Sequence, residues 1–272
     1  MYGDLHIHSS HSDGLLSLNE IITAAISAKI KVIAITDHDT LNGVLNLSKN
    51  KELQIIPGIE LTVNNKLHIL GYFIDPSNDL LKKALETIQL QKAVWLVKLL
   101  NLLGNTYNIS ISKVMKEYKE ITLYSITEYL LCHCECKLSK KEIYQKYIWG
   151  DVETIGRMPT FSTSRAIKLI KEAGGIAVLA HPSLIWKTHS DFLKVLEGLI
   201  KEGLDGIEVY HISNAQANQI EYFKEIAQKY GLLVTGGSDF HGLKNKKTRL
   251  GEYGITFSEW NIIKKYGNNK GV

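Results

Sequence analysis

Histidine and acidic residues at or near the ends of short apolar segments constrain the fold of this chain more than any other feature. Imidazole and carboxylate groups are the usual protein ligands of Zn, Mn and Fe ions. Motifs made of the same ligand types recur along the whole sequence, so they predict a fold that gathers distant segments around a metal cluster. The nine candidate ligands are His6, His8, Asp13, His38, Glu60, His68, His181, Asp239 and His241.

Each motif taken alone has an ordinary structural explanation. His6 and His8 alternate along a strand, and such a pair can simply share one face of a sheet. Asp37 and Asp39 flank His38, and we assign both acids to the local turn, where an Asp can cap a following helix. Glu60 could be an ordinary ion-pair partner, and His68 could be a buried, hydrogen-bonded histidine of the core. His181, which precedes a proline, could simply end a strand. Only the complete set favours metal binding.

Apolar runs of strand length alternate with segments of helical periodicity. Strands are expected at residues 2–8, 31–36, 54–63, 67–73, 176–180, 206–210 and 232–236, with a turn at Asn64 and Asn65. Helices are expected after a capping box at Ser17, near Thr40, and over 79–103, 164–173, 190–202 and 214–230. This order predicts a parallel sheet with its site at the carboxyl ends of the strands. Because an open sheet would spread the motifs apart, we predict an α/β fold with a closed barrel.

The strand pattern stops in the middle of the chain. Residues 86–161 are rich in Lys, Tyr and Leu and are predicted to form a small helical cap insertion. The predicted barrel therefore comprises residues 1–85 and 162–265, and the Gly- and Asn-rich tail 266–272 is expected to fray. The spacing of Cys132, Cys134 and Cys136 lacks the second pair of a zinc finger, so we expect ordinary thiols.

Charge and composition limit the classes of partner. The formal net charge of +4 suits an anionic substrate but is small for a nucleic-acid-binding surface. Arginine binds phosphate better than lysine does, and the chain has only Arg157, Arg165 and Arg249. No segment reaches the roughly 18 apolar residues of a membrane span. With no leader-like segment and few cysteines, we expect a cytoplasmic location.

The combined motifs resemble those of the PHP (polymerase and histidinol phosphatase) family. They are Asp4–His8, Asp13, Thr36–Asp39, Gly58–Glu60, His68, Ala180–Pro182 and Ser238–His241. The resemblance covers residues 1–80 and 162–257, and it implies a distorted seven-stranded (β/α) barrel, similar to a TIM barrel, with a trinuclear metal site. The insertion is similar to that of a capped branch whose enzymes act on nucleoside 3′,5′-bisphosphates and short 5′-phosphorylated oligonucleotides.

Carried over residue by residue, the resemblance implies two to three divalent ions, either Mn, Fe or Zn. His6, His8, Glu60 and Asp239 would surround the first ion. Glu60 would bridge to a second ion, which His68 and His181 would also bind. Asp13, His38 and His241 would hold the third. Glu60 and Asp239 would have catalytic roles through a metal-activated hydroxide that attacks phosphorus. His211 would bind the scissile phosphate or protonate the leaving group.

One segment departs from the family pattern. Related capped enzymes carry an Arg-Pro-His-type segment that helps to hold the substrate phosphate, whereas this chain has Thr122–Thr127 in the corresponding place. Arg157 and Arg165 are the candidate replacements, so we assign them to substrate binding together with His211.

The sequence and the resemblance favour a metal-dependent phosphoesterase that acts on nucleotides and forms no stable nucleic-acid complex. A phosphomonoesterase for a small metabolite, similar to histidinol phosphatase, is the alternative among hydrolases. A catalytically silent metal-binding accessory module is the alternative outside enzymes. Loss of ligands would favour the silent module, and all nine ligands are present.

Overall fold

A single seven-stranded sheet forms the centre of the computed structural model, which describes residues 2–45, 47, 50–63, 67–118, 121–134, 136–148, 155–186, 189–242 and 248–268. Strands that are adjacent in sequence are also adjacent in space. They are β1 Gly3–Ile7, β2 Val32–Ile35, β3 Gln54–Val63, β4 Leu67–Tyr72, β5 Ile176–Leu179, β6 Gly206–Tyr210 and β7 Leu233–Gly236. A parallel bridge between Ile7 and Phe240 joins the region after β7 to β1. The predicted seven-stranded α/β barrel is confirmed.

Strand β4 runs against both of its neighbours. The strands β1 to β3 are mutually parallel, and so are β5 to β7, but the β3–β4 and β4–β5 pairs are antiparallel. The prediction of a parallel sheet is therefore wrong at this strand. Residues 64–66 alone separate β3 from β4, whereas a parallel connection needs about a dozen residues. The predicted turn residues Asn64 and Asn65 lie outside the described residues.

Ten α-helices are found among the described residues. They are α1 Leu18–Ser27, α2 Asp79–Tyr107, α3 Ile111–Val114, α4 Leu123–His133, α5 Lys140–Ile143, α6 Thr163–Glu172, α7 His189–Lys201, α8 Ile212–Gln216, α9 Ile220–Tyr230 and α10 Phe257–Asn268. A π-helical segment, Tyr144–Ile148, follows α5, and a 3-10 turn, Pro182–Leu184, follows β5. The predicted capping box is present, because Ser17 and Glu20 exchange hydrogen bonds between side chain and backbone. None of the described helices has both the length and the apolar character needed to cross a membrane.

The helix predicted near Thr40 is wrong. Residues 42–45 form a turn in which the backbone N–H groups of Val44 and Leu45 donate to the carbonyl of Leu41. The Thr40 hydroxyl accepts the N–H of Asn42, and the Asn42-Gly43 pair favours a turn over a helix. This segment therefore connects β2 to β3 without a helix over residues 40–45.

The chain divides into two compact units, of which the first combines Met1–Leu85 with Phe161–Val272 and the second is Glu86–Thr160. The first unit contains the barrel. The second contains most of α2 together with α3, α4 and α5, and it has an apolar core of its own. This core includes Trp95, Leu99, Leu103, Ile126 and Leu130. The second unit thus stabilises itself by burying its own apolar side chains.

The last helix packs on the barrel unit. Trp260 of α10 is buried in the same core as strand residues of the barrel. The expected fraying of 266–272 is wrong for residues 266–268, which continue α10. The Tyr266 hydroxyl donates to Asp205 at 2.7 Å, and this contact holds the final turn in place. Residues 269–272 lie outside the described part of the chain.

Candidate metal centre

One end of the barrel collects the ligand-type side chains. His6 and Glu60 belong to β1 and β3, and most of the other ligand-type side chains follow the carboxyl ends of parallel strands. His68 is the second residue of β4 and pairs with Thr62 of β3. Because β4 runs in reverse, its amino end lies beside the carboxyl ends of its neighbours, which brings His68 to the same place. The structure brings all nine predicted ligands together at this end.

Glu60 lies at the centre of the group, with 1% of its side chain exposed. Its Oε2 atom lies 3.1 Å from Nε2 of His6 and 3.2 Å from Nε2 of His8. The same oxygen lies 3.3 Å from Nδ1 of His38. Three imidazoles therefore converge on one carboxylate oxygen.

The second oxygen of Glu60 faces two further imidazoles. Its Oε1 atom lies 2.7 Å from Nδ1 of His68 and 3.0 Å from Nε2 of His181. A carboxylate that presents each oxygen to a different group of imidazoles has the arrangement of a bridging ligand between two cations.

Asp239 approaches the centre from the segment after β7. Its Oδ1 atom lies 3.1 Å from Nε2 of His8 and 3.4 Å from Nδ1 of His241. The backbone of Asp239 has a φ of 53°, a left-handed conformation that Asp tolerates better than most residues. Asp239 and Glu60 thus present carboxylate oxygens to the same nitrogen of His8.

A further group lies on the other side of His8. Nε2 of His241 lies 3.2 Å from Oδ1 of Asp13, and Nδ1 of His8 lies 3.6 Å from the same oxygen. Ligand atoms of His8, Asp13, His38 and His241 all lie within 4.8 Å of one another. The implied third set, Asp13, His38 and His241, is therefore compact.

Burial and the neighbouring carboxylates shift the pKa values of the imidazoles in different directions. Burial lowers the pKa of His38 to about 4 and also lowers that of His181. Burial acts the same way on His8, but Asp239 and Glu60 outweigh it and raise its pKa to about 10. Burial alone would raise the pKa of Glu60, yet His38 and His6 hold it well below its usual value. A ligating imidazole must be deprotonated, so ions would displace the protons from the rings that carry them.

The residues present fit divalent transition metal ions. Both ring nitrogens of His8 and Nδ1 of His38 are buried and make no hydrogen bond with the described residues. Buried polar atoms without partners are costly, and a cation would give these lone pairs a partner. A mixed set of imidazole nitrogens and carboxylate oxygens suits Mn, Fe and Zn.

Two buried carboxylates, whose roles the sequence analysis did not predict, accept hydrogen bonds from a candidate ligand or from the residue next to one. Glu208 of β6 accepts a hydrogen bond from Nδ1 of His6 at 2.9 Å. Asp4 of β1 accepts from the Ser238 hydroxyl at 2.6 Å and from the Gly251 N–H at 2.8 Å. Burial raises the pKa of Asp4 to about 6. An acid inside a short, mainly apolar strand was the available signal, because a buried acid needs a buried partner.

Asp37 and Asp39 hold the loops around the centre, as their assignment to the turn predicts. Asp37 accepts hydrogen bonds from the backbone and hydroxyl of Ser9, at 2.7 and 2.6 Å. Asp39 accepts from the backbone and hydroxyl of Thr62, at 2.9 and 2.6 Å. The expected cap of a following helix is wrong, because residues 42–45 form a turn.

His211 faces the centre from the end of β6. It caps α8, and its Nδ1 atom accepts the N–H of Ser213 at 3.1 Å. Its Nε2 atom lies 3.7 Å from Oδ2 of Asp239. Because Nδ1 acts as an acceptor, the proton of the neutral ring lies on Nε2. His211 therefore presents an N–H donor to the centre.

The proposed substrate contacts outside the centre are exposed. Arg165 lies in the first turn of α6, and Arg157 lies in the second unit. The segment Thr122–Thr127 begins α4, where Thr122 and Ser125 form a capping box. Its polar groups thus stabilise a helix end. The cysteines of the second unit are free thiols, and the roles of both arginines stay predictions.

Comparisons with known proteins agree with this geometry. A family model described as the PHP domain matches residues 4–179. The chain is 27% identical over 265 residues to a phosphoribosyl 1,2-cyclic phosphate 1,2-diphosphodiesterase from Eggerthella lenta, covering 92% of this chain and 98% of the relative. It is also 27% identical to a 3′,5′-nucleoside bisphosphate phosphatase from Chromobacterium violaceum, covering 88% and 86% of the two chains. Its identity to the 5′-3′ exoribonuclease Rnm from Escherichia coli is likewise 27%, covering 88% and 84%.

Solved structures extend the similarity to the whole fold. A chain from Bifidobacterium adolescentis, assigned to the metal-dependent phosphoesterases, superposes with a TM-score of 0.80. The two sequences are 27% identical, and the alignment covers 100% of this chain and 97% of the other. The similarity therefore includes both compact units as well as the barrel strands.

Proposed function

Because the chain belongs to the PHP domain family, it is a metal-dependent phosphoesterase, and we propose that it hydrolyses phosphate esters of nucleotides. The proposed substrates are nucleoside 3′,5′-bisphosphates or short 5′-phosphorylated oligonucleotides. The observation that carries the proposal is the convergence of five imidazoles on the two oxygens of Glu60. The names of the phosphatase and exoribonuclease relatives support this class of substrate.

We propose that two to three Mn, Fe or Zn ions bind at the centre. His6, His8, Glu60 and Asp239 would hold one ion, and Glu60, His68 and His181 would hold a second. Asp13, His38 and His241 would hold a third. When bound, such ions activate a water at neutral pH and place positive charge against phosphate oxygens. The side chains of Glu60, His6 and His8 are buried, which strengthens these electrostatic effects.

His211 is proposed to contact the phosphate. Its exposed fraction is 2%, and its Nε2–H group points towards the centre beside Asp239. This group can donate to a phosphate oxygen and can pass a proton to the leaving oxygen. Arg165 and Arg157 are proposed to bind outer phosphate oxygens, because their planar guanidinium groups match that geometry. We also propose a cytoplasmic location, which the free thiols support.

A cyclic phosphodiester of a phosphoribose is a second candidate substrate. It is favoured by the Eggerthella lenta relative, which aligns over 98% of its own length. In-line displacement at phosphorus would serve a cyclic diester as well as a terminal ester.

A substrate panel with added Mn²⁺ tests the proposal. It should contain a nucleoside 3′,5′-bisphosphate, a 5′-phosphorylated dinucleotide, a phosphoribosyl 1,2-cyclic phosphate, a generic diester and histidinol phosphate. The highest kcat/KM is expected for one of the first two. A clear preference for the cyclic phosphate would select the second candidate, and a preference for histidinol phosphate would contradict both.

Elemental analysis separates an enzyme from a silent module. Protein purified without chelator is expected to contain two to three equivalents of transition metal per chain. A folded protein that binds no metal would contradict the metal-dependent mechanism itself.

A further inference from the structure

Glu208 is a carboxylate in the middle of β6 with no exposed side-chain surface. Its neighbours in β6, Ile207 and Val209, are buried apolar residues. An acid is costly in such a strand unless hydrogen bonds satisfy it. Both of its oxygens are satisfied, and both contacts lead to residues of the metal centre.

The first contact fixes the ring of His6. Oε1 of Glu208 lies 2.9 Å from Nδ1 of His6. An ionised carboxylate can only accept, so Nδ1 carries a proton. When the ring loses its second proton, as metal binding requires, the lone pair is left on Nε2, which is the atom 3.1 Å from Glu60.

The second contact fixes the backbone of His181. Oε2 of Glu208 accepts the N–H of His181 at 2.8 Å. The backbone of His181 has a φ of 27°, which is unusual for a residue with a side chain and persists only when the surroundings hold it. Nε2 of the same residue lies 3.0 Å from Oε1 of Glu60.

We propose that Glu208 is a positioning residue that sets the tautomer of His6 and the backbone of His181, so that both ligands meet Glu60 in the form that binds metal. The inference rests on the proposed function, because it assumes that these side chains hold ions. Glu208 contacts His6, which lies beside Oε2 of Glu60, and His181, which lies beside Oε1. It therefore connects the two groups of imidazoles around Glu60. Partners of this kind orient metal-binding histidines in other proteins and raise their basicity.

Substitution by Gln cannot satisfy both contacts. If the amide oxygen faces His6, the amide nitrogen faces the N–H of His181, and two donors oppose each other. If the amide oxygen faces His181, the amide nitrogen donates to Nδ1 of His6 and moves the ring proton to Nε2. That proton would occupy the lone pair that faces Glu60. Either arrangement weakens metal binding without adding volume.

The test measures Mn²⁺ binding to the chelator-stripped full chain by equilibrium dialysis, for the wild type, Glu208→Gln and Glu259→Gln. Glu259 is the matched control, because it accepts from the hydroxyl of Tyr210 of β6 at 2.6 Å and lies outside the centre. Glu208→Gln is expected to raise the dissociation constant by about 10- to 100-fold. Glu259→Gln is expected to bind as the wild type does. Circular dichroism confirms that each stripped protein is folded.

The outcomes separate the inference from the proposed function. A wild type that binds no Mn²⁺ would contradict the proposed function, whereas equal binding by the wild type and Glu208→Gln would overturn only the positioning role. Loss of a full equivalent with unchanged affinity at the remaining sites would make Glu208 a ligand and would also overturn that role. If Glu208→Gln does not fold, Glu208→Asp keeps the charge but is one methylene shorter, and the same weakening is expected.

Discussion

Replacing Glu60 by Gln tests the central place of this carboxylate. The amide has nearly the same shape, so the packing is kept while the negative charge is removed. In the metal-free protein, burial opposes the charge on His6, but Glu208 and Glu60 raise its pKa well above the usual value. The pKa of His8 is raised to about 10. The nearby carboxylates therefore favour the charged form of both rings.

The distances set the magnitude of the effect. Glu60 lies 3.1 Å from the His6 ring and 3.2 Å from the His8 ring. At an effective dielectric constant of about 20, each pair has roughly 5 kcal/mol of Coulomb attraction before desolvation is subtracted. Removing one partner of a buried pair costs about 3–5 kcal/mol. Because Glu208 and Asp239 remain beside the rings, we expect the metal-free variant to lose about 3 kcal/mol of unfolding free energy at pH 7.

The pH dependence has a defined sign. The pKa of Glu60 in the folded chain lies well below the ordinary value of 4.5, so its contribution is fully present above pH 4.5. That contribution is lost as the pH falls through the folded-state pKa. The stability difference between the wild type and Glu60→Gln is therefore expected to shrink in acid.

Urea unfolding after removal of metal measures this difference at pH 7 and at acid pH. Glu197→Gln is the matched control for charge, because Glu197 is an exposed acid that accepts from the Tyr230 hydroxyl. Metal content and turnover, measured on the same preparations, are expected to fall for Glu60→Gln only. Wild-type stability together with full metal content in that variant would refute the assigned role.

Three further substitutions test other parts of the molecule. Arg165→Ala is expected to raise KM for phosphorylated substrates several-fold in steady-state assays, while the control Lys168→Ala, one turn along α6, leaves KM unchanged. A KM of Arg165→Ala equal to that of the wild type would show that Arg165 does not bind the substrate. His211→Asn is expected to lower kcat by about 100-fold with unchanged metal content, and metal loss would instead identify a ligand. A Cβ on Gly237 would lie 2.3 Å from a backbone nitrogen of β1, so Gly237→Ala is expected to cost at least about 3 kcal/mol in urea unfolding. Gly198→Ala, on an exposed helical face with open space around it, is expected to be stabilising, and similar results for both glycines would contradict this reading.

The place where the ligands meet could be predicted from the sequence, because two independent rules agree. Ligand types identify the candidate residues, and the ends of parallel strands meet at one end of a barrel. His181 and Asp239 follow β5 and β7 as this reasoning expects. Their roles as ligands stay predictions until metal is measured.

The direction of β4 shows what periodicity leaves undetermined. Apolar runs identify strands but do not determine whether neighbouring strands are parallel. The length of the connection does carry that information, and residues 64–66 are too few for a crossover. The helix predicted near Thr40 is wrong for a related reason. The local turn preference of Asn42-Gly43 outweighs the general alternation of strands and helices.

Glu208 and Asp4 show why supporting residues are harder to predict than ligands. Asp4 begins one of the recognised motifs and Glu208 belongs to none, but each acquires its role from a residue far along the chain. Glu208 is 202 positions from His6, and Asp4 is 234 positions from Ser238. Only the folded barrel brings these partners together, so the sequence shows their burial without showing what they bind.

The reversed strand also affects the order in which the centre can assemble during folding. Glu60 and His68 are eight positions apart on a hairpin, whereas His181 is 121 positions from Glu60. Closing a short loop costs less chain entropy than closing a long one, and contacts that are local in sequence form faster. We therefore expect the contact between Glu60 and His68 to form first as the chain folds. The other imidazoles are expected to reach Glu60 later, when the barrel closes.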